Sequence, residues 1–156
     1  MTVKVKDNGF KKRLANLAKP AVVSVGVHAA DGAKPEGDSG MTVADIAGIH
    51  EFGLGVPERS WLRDFVDENR PKLLSMLRDV GKEIAAGEDP DKAMNRFGLV
   101  VVGMVKERII AGIDPPLAEV TKLRKQQITG GAAKDTPLIL FGQFISSIAH
   151  EVQHTK

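Results

Sequence analysis

The residues best suited to chemistry in this 156-residue chain are its four histidines and the carboxylates near them. His50-Glu51 begins like the helix of a zinc protease, in which a second histidine three residues after the glutamate completes the metal site. Gly53 and Leu54 occupy that region instead, so the motif is incomplete. The remaining histidines stand singly, at positions 28, 150 and 154. There is no glycine-rich phosphate loop of standard spacing and no serine in a nucleophile elbow. The sequence therefore predicts no catalytic residue, no metal site and no cofactor.

The most distinctive stretch surrounds the single tryptophan. Residues 49–63, called the corner below, join a short helical pattern to a long one through two glycines and a proline. They include Arg59, Trp61 and Arg63, and tryptophan and arginine are enriched at the centres of protein interfaces. Binding residues also concentrate on loops held by a rigid scaffold. We predict that the corner is a docking surface or its direct support, with packing of Trp61 into the core as the alternative.

The composition, 42% hydrophobic and 27% charged, is that of an ordinary globular domain. The longest near-unbroken apolar run, residues 97–105, is half the length that a bilayer crossing requires, so no membrane span is predicted. The absence of cysteine excludes disulfides and thiolate metal sites and fits a reducing cytoplasm. The N-terminal residues contain no apolar signal core, so we expect folding inside the cell that makes the protein.

The net charge of +2 hides an uneven distribution of basic residues. Six of them lie between residues 4 and 19, and a second group consists of Lys122, Arg124 and Lys125. Such groups can contact phosphate or an acidic protein surface, although solvated helix faces are the simpler interpretation. Aromatic residues make up only 4%, with no tyrosine, so a base-stacking platform for single strands is poorly supplied.

Hydrophobic periodicity divides the N-terminal part of the chain into short elements. Alternating valines predict strands at residues 2–6 and 21–28, separated by a helix at residues 9–18. Residues 29–40 are rich in glycine, proline and aspartate and predict an extended or mobile loop. Thr42 is a suitable N-cap for a short helix that runs through His50.

Long helices dominate the rest. Ser60 can cap a helix that reaches Gly87, and Pro71 makes it either one kinked helix or two consecutive helices. Residues 91–113 give the strongest helical pattern, apolar almost all round near its centre, which predicts burial by the rest of the fold or by a neighbouring subunit. A polar helix at residues 117–127, a short helix at 141–148 and a closing strand from Ile148 follow. We predict one α+β domain over residues 1–156, with a small, mainly antiparallel sheet packed with a long kinked helix and a buried central helix.

Three separated segments together resemble a known family. They are residues 46–63 (IAGIHEFGLGVPERSWLR), 113–118 (IDPPLA) and 136–148 (TPLILFGQFISSI). Their order and spacing are similar to those of the neck and tail-completion proteins of tailed bacteriophages, also called virion morphogenesis proteins. In that family the segments typically read "hEfG" with "iPaRpFlR", "PPLap.T" and "TPLidTGqL..SI", and Thr121 matches the threonine of the second. Ser60-Trp61 stands where the family usually has Pro-Phe, and Leu140-Phe141 replaces Asp-Thr.

The resemblance implies a structural role without catalysis. It predicts a virion protein made in the bacterial host cytoplasm, which forms a homo-oligomeric ring of six or twelve copies at the head–tail joint. Its neighbours would be head-closure or connector proteins and tail-terminator or tail-tube proteins, and DNA would pass through the ring without sequence-specific contacts. The candidate interface residues are His50, Glu51, Phe52, Glu58, Arg59, Trp61, Arg63, Pro115, Pro116, Thr136, Pro137 and Gln143. A nucleic-acid-binding protein that uses the basic N-terminal segment is the alternative, and a hydrolase with His50 and Glu51 as acid–base pair is a more distant one.

Overall fold

The computed structural model describes residues 9–18, 21–35, 40–130, 137–138 and 142–154. In chain order the elements of these residues are helix α1 (Phe10–Leu17), strand β1 (Ala21–Val27), helices α2 (Ala29–Gly32), α3 (Val43–Phe52), α4 (Arg63–Ala86), α5 (Pro90–Ala111), α6 (Glu119–Thr129) and α7 (Gln143–Ser147), and strand β2 (Ile148–His154). The strand predicted at residues 2–6 lies outside the described residues. The α+β class is confirmed, with one small antiparallel sheet packed against long helices.

The sheet joins the two ends of the described chain. β1 and β2 pair antiparallel over their whole length, from Ala21 opposite His154 to Val27 opposite Ile148. Side chains alternate between the faces of a strand, so Val23, Val25 and Val27 share one face with Ile148 and His150 of β2. Val25 and Val27 pack against the main core. A two-stranded ribbon is only marginally stable alone, so this sheet depends on the helices beneath it.

α4 and α5 form the helical layer. α4 is one continuous 24-residue helix that contains Pro71, so the alternative of two consecutive helices is wrong. Gly87, in the left-handed conformation at φ 115°, ends α4. The Asp89 carboxylate then accepts a hydrogen bond from the Lys92 amide and starts α5. Ion pairs between Glu83 and Arg96 and between Glu68 and Arg108 align the two helices antiparallel.

α5 is the central helix, as predicted, and one of its sides is fully covered. Val101, Val102, Val105 and Ile109 are buried in a core that also includes Phe65 of α4. Leu99, Val100 and Ile110 are exposed, so the rest of the described fold does not bury the helix on all sides, and burial by a neighbouring subunit stays a prediction. Among the helices of the described ranges, none has the length and hydropathy to cross a bilayer.

The segment predicted as one loop, residues 29–40, begins differently. Its first four residues form α2. Gly32 of this helix is buried, and a Cβ there would lie 3.2 Å from Ala44 and 3.3 Å from Val27. An isolated bridge then pairs Pro35 with Thr42. Thr42 and Asp45 form a capping box at the start of α3, which confirms the predicted cap. Residues 36–39 lie outside the described structure.

Gly98 lets β2 lie directly on α5. A Cβ at this position would fall 2.4 Å from Cδ2 and 2.6 Å from Cγ of His150, whose ring also hydrogen-bonds Asn95. We expect Gly98→Ala to lower the free energy of unfolding by about 1–3 kcal/mol, because the strand must move away from the helix. Gly103→Ala is the matched control in the same helix, with no atom within 4 Å of its Cβ. It should stabilise by about 0.5–1 kcal/mol. Urea unfolding measures both, and equal stability of the two variants would contradict this account.

Candidate functional site

The carboxylate of Glu51 is the centre of the corner. Glu51 is buried near the end of α3. Its Oε1 accepts hydrogen bonds from Ser60 Oγ at 3.0 Å, from the Arg63 amide at 2.9 Å and from Arg63 Nε at 3.2 Å. Its Oε2 accepts one from the Leu62 amide at 3.0 Å. A buried charge is tolerated only when it is hydrogen-bonded and paired in this way.

Glu51 also acts as the cap of α4. The first amides of a helix have no partner within the helix, and a negative charge there is favourable. Glu51 binds the amides of Leu62 and Arg63, and Ser60 Oγ accepts from the Asp64 amide at 3.1 Å. Ser60 therefore contributes to the cap as predicted, but the helix starts at Arg63 and not directly after Ser60. The carboxylate from the preceding helix supplies the rest of the cap.

Close approach of the chain to itself shapes the turn. Gly53 ends α3 with φ 66°, and a Cβ there would lie 3.0–3.1 Å from Glu58. Only glycine suits both the left-handed conformation and this contact. The Arg59 amide then donates to the His50 carbonyl at 2.8 Å, which brings the returning chain back alongside the end of α3.

Arg59 ties the corner to the segment that follows α5. Its Nε donates to the Pro115 carbonyl at 2.7 Å and its Nη2 to the Pro116 carbonyl at 3.2 Å. Arg59 is buried, and burial lowers the pKa of its guanidinium from the ordinary value. The side chain thus holds two distant parts of the chain together.

Trp61 packs in the core. It is 3% exposed, and its indole Nε1 donates to the Ala47 carbonyl at 3.2 Å. Its ring meets Phe144 of α7 edge to face, with the ring centroids 5.2 Å apart. Of the two alternatives drawn from the sequence, the core position is the one observed.

Four of the predicted interface residues, Glu51, Arg59, Trp61 and Pro137, are buried within the chain. The corner as a docking surface or its direct support stays a prediction. Gln143 is half-buried and donates to the Pro35 carbonyl at 2.7 Å. Thr136 lies outside the described residues.

The exposed rim of the corner is apolar with a charged border. Phe52 and Leu54 are 58% and 62% exposed. Arg63 lies over the Phe52 ring at 5.1 Å from its centroid and donates to Glu58 at 2.6 Å. Hydrogen bonds to Glu51 and Glu58 raise the pKa of Arg63 above its ordinary value. Pro115 and Pro116 are also exposed. Leu54 is the rim residue that the sequence analysis missed, although an apolar residue between two glycines of a loop was a usable signal.

His50 stands just behind this rim. Its Nδ1 is buried and has no hydrogen-bond partner in the described structure. Burial, with a smaller effect of the positive charge of Arg59, lowers the pKa of His50 to about 4. No hydrogen bond joins His50 to Glu51 in the described structure, so the two side chains are not arranged as an acid–base pair. No group of three or more metal-ligating side chains occurs in the part of the chain that the structure describes.

Comparisons with protein-family models, with curated proteins and with solved structures give no match.

Arg59→Ala should lower the free energy of unfolding by about 2–3 kcal/mol, since it removes charged hydrogen bonds to two carbonyls. Arg59→Lys should lose less, because one donor remains. Arg70→Ala is the matched control, an exposed arginine of α4 whose loss should change stability by no more than about 0.5 kcal/mol. Urea unfolding compares the three, and a loss for Arg59→Ala no larger than for Arg70→Ala would show that the tie to Pro115 and Pro116 carries little stability.

The pKa of His50 predicts a pH dependence. The unfolded chain binds a proton at this residue near pH 6.5, whereas the fold resists it until about pH 4. The contribution of His50 to stability is therefore complete above pH 6.5 and declines as the pH falls towards 4. His50→Gln should reduce the slope of unfolding free energy against pH in this window. Chemical unfolding across the window measures it, and an unchanged slope would mean that His50 is protonated as easily in the fold as outside it.

Proposed function

We propose that this protein is a ring subunit at the head–tail joint of a tailed bacteriophage and belongs with the neck and tail-completion proteins. In this proposal it is a structural component of the virion, made in the host cytoplasm and assembled as six or twelve copies. It contacts head-closure or connector proteins on one side and tail-terminator or tail-tube proteins on the other. DNA passes through the ring without sequence-specific contacts.

The observation that carries the proposal is the meeting of the three resembling segments. Arg59, in residues 46–63, binds the carbonyls of Pro115 and Pro116, in residues 113–118. Trp61, in the first segment, packs on Phe144, in residues 136–148. Motifs separated by about half the chain thus form one packed unit. A shared fold is expected to constrain the sequence in just such contact-making positions.

The distribution of apolar surface also supports a subunit of an assembly. Large apolar side chains are exposed on several helices and not only at the corner: Phe10, Leu14 and Leu17 on α1, Val66, Leu74 and Leu77 on α4, Leu99, Val100 and Ile110 on α5, and Val120, Leu123 and Ile128 on α6. Extended apolar surface on a small domain is typical of proteins that pack against neighbours. The engaged carboxylate of Glu51 argues against the hydrolase alternative.

The nucleic-acid-binding alternative has one observation in its favour. Lys11, Lys12 and Arg13 are exposed on α1, next to the basic residues that precede the described part of the chain. Binding of that kind would weaken steeply with salt, because phosphate contacts release counterions. Strong, salt-dependent DNA binding by the isolated protein would favour this alternative over the ring.

We predict that the isolated protein forms rings weakly or not at all, and that virion images show six or twelve copies in the neck. Mobile segments that become ordered only against neighbouring virion proteins lose conformational entropy on binding. This cost weakens the contacts between isolated subunits. The double variant Phe52→Ser/Leu54→Ser should keep its thermal stability, because both side chains are exposed, but should no longer enter the neck. Trp61→Ala is the control for lost stability, since it empties a core position.

Sedimentation, thermal unfolding and particle imaging decide between the outcomes. A ring symmetry other than six or twelve, or a stable hexamer in dilute buffer, contradicts this prediction. Normal incorporation of the Phe52/Leu54 variant would show that the rim of the corner is not the contact surface.

A further inference from the structure

An apolar groove lies beside β1, on the side away from β2. It has a volume of about 320 Å³ and is lined by β1, by Leu62 and α4, and by α5. Val23 and Val25 of β1 form one wall, and Val66, Leu74 and Leu77 of α4 are partly exposed on the other. In the described residues β1 pairs with β2 only, so the edge of β1 that borders this groove has no strand partner. Unpaired strand edges are the sites at which another strand adds to a sheet.

The opposite side of the subunit presents the complementary features. The outer edge of β2 also has no partner among the described strands. The helix on which β2 lies, α5, exposes Leu99, which is 63% exposed, and Ile110. Each helical residue turns the side-chain direction by about 100°, so Leu99 and Ile110 point about 200–220° away from Phe97. Phe97 lines the groove beside α4. Leu99 and Ile110 therefore point away from the groove.

Val66 and Leu77 form one apolar stripe, on α4, and Leu99 and Ile110 form another, on α5. The two stripes match in length and register. Val66 and Leu77 are eleven residues apart, as are Leu99 and Ile110, and each pair spans about 16 Å along its helix. Within one subunit the Glu68–Arg108 pair sets the antiparallel register of α4 and α5. If α5 of a second copy lies along the free side of α4 in that same register, Ile110 faces Val66 and Leu99 faces Leu77.

We propose that a second copy of this chain occupies the groove in a head-to-tail contact. The β2 edge of one copy pairs with the β1 edge of the next, and the stripe of Leu99 and Ile110 packs on that of Val66 and Leu77. β1 and β2 are antiparallel, so related copies continue an antiparallel sheet. Because the contact joins two different surfaces, it closes into a ring when the rotation between copies divides a full turn evenly, and it forms an open filament otherwise. The choice of a second copy as occupant rests on the proposed function, whereas the two matched surfaces do not.

The chain contains no cysteine, so single engineered thiols report contacts directly. Leu77→Cys and Leu99→Cys are made in separate chains of different tag length, checked by thermal unfolding, mixed at high concentration and treated with a short bismaleimide. We expect at least about tenfold more Leu77–Leu99 heterodimer than either homodimer, since a formed contact raises the effective concentration of the two thiols. Leu123→Cys is the control partner for each, because Leu123 lies on α6 and is 59% exposed, against 63% for Leu99 and 38% for Leu77.

Two results would overturn the contact. Homodimers of Leu77→Cys or Leu99→Cys in excess would show that like surfaces meet, and a heterodimer yield equal to that with Leu123→Cys would show that these surfaces do not meet. Either result leaves the neck proposal standing if virion images show the ring. Conversely, a specific heterodimer without any ring in virions would support the contact and remove the neck proposal.

Discussion

One buried carboxylate determines how the corner and the long helix are placed. Glu51 sits at the end of α3, and leaving its charge without partners in the interior would cost several kcal/mol. The four donors that satisfy it come from residues 60–63, so the chain must turn back sharply and begin α4 at that point. With the start of α4 held there, Trp61 points into the core and Arg59 reaches Pro115. The exposed rim is therefore a consequence of an internal electrostatic requirement.

Local patterns of the sequence predicted most of the elements because the physical causes of those elements are local. Alternating valines identified β1, apolar spacing identified α5, and Thr42 identified the start of α3. The pairing of β1 with β2 could not be predicted in register, since the two strands are separated by more than a hundred residues. The start of α4 was misplaced for a related reason, because its cap comes from Glu51 on another helix and not from its own sequence.

In the candidate site, too, some features follow from local sequence and others depend on long-range contacts. Residue types directed attention to the corner, because tryptophan and arginine are enriched at the centres of interfaces. They did not show which side chains face outward. Tryptophan and arginine serve interfaces and interiors equally well, and here the carbonyls of Ala47 and Pro115 bind Trp61 and Arg59 internally. Phe52 and Leu54 are the exposed apolar side chains of the corner, and Arg63 partly covers the Phe52 ring. Only the long-range contacts of the folded chain separate these roles.

The described fold exposes apolar surface on two different sides of the domain. In the described ranges, a sheet of two strands covers one part of α5 and α4 covers an adjacent part, and these residues leave Leu99, Val100 and Ile110 of α5 and the groove beside β1 exposed and apolar. These two openings lie on opposite sides of the subunit and differ in shape, one a groove and the other a ridge. A domain that presented the same surface on both sides would form closed pairs, whereas unlike and complementary sides favour repetition. A sheet of two strands would gain stability from any added strand, since that strand would supply backbone partners to an edge that has none among the described strands.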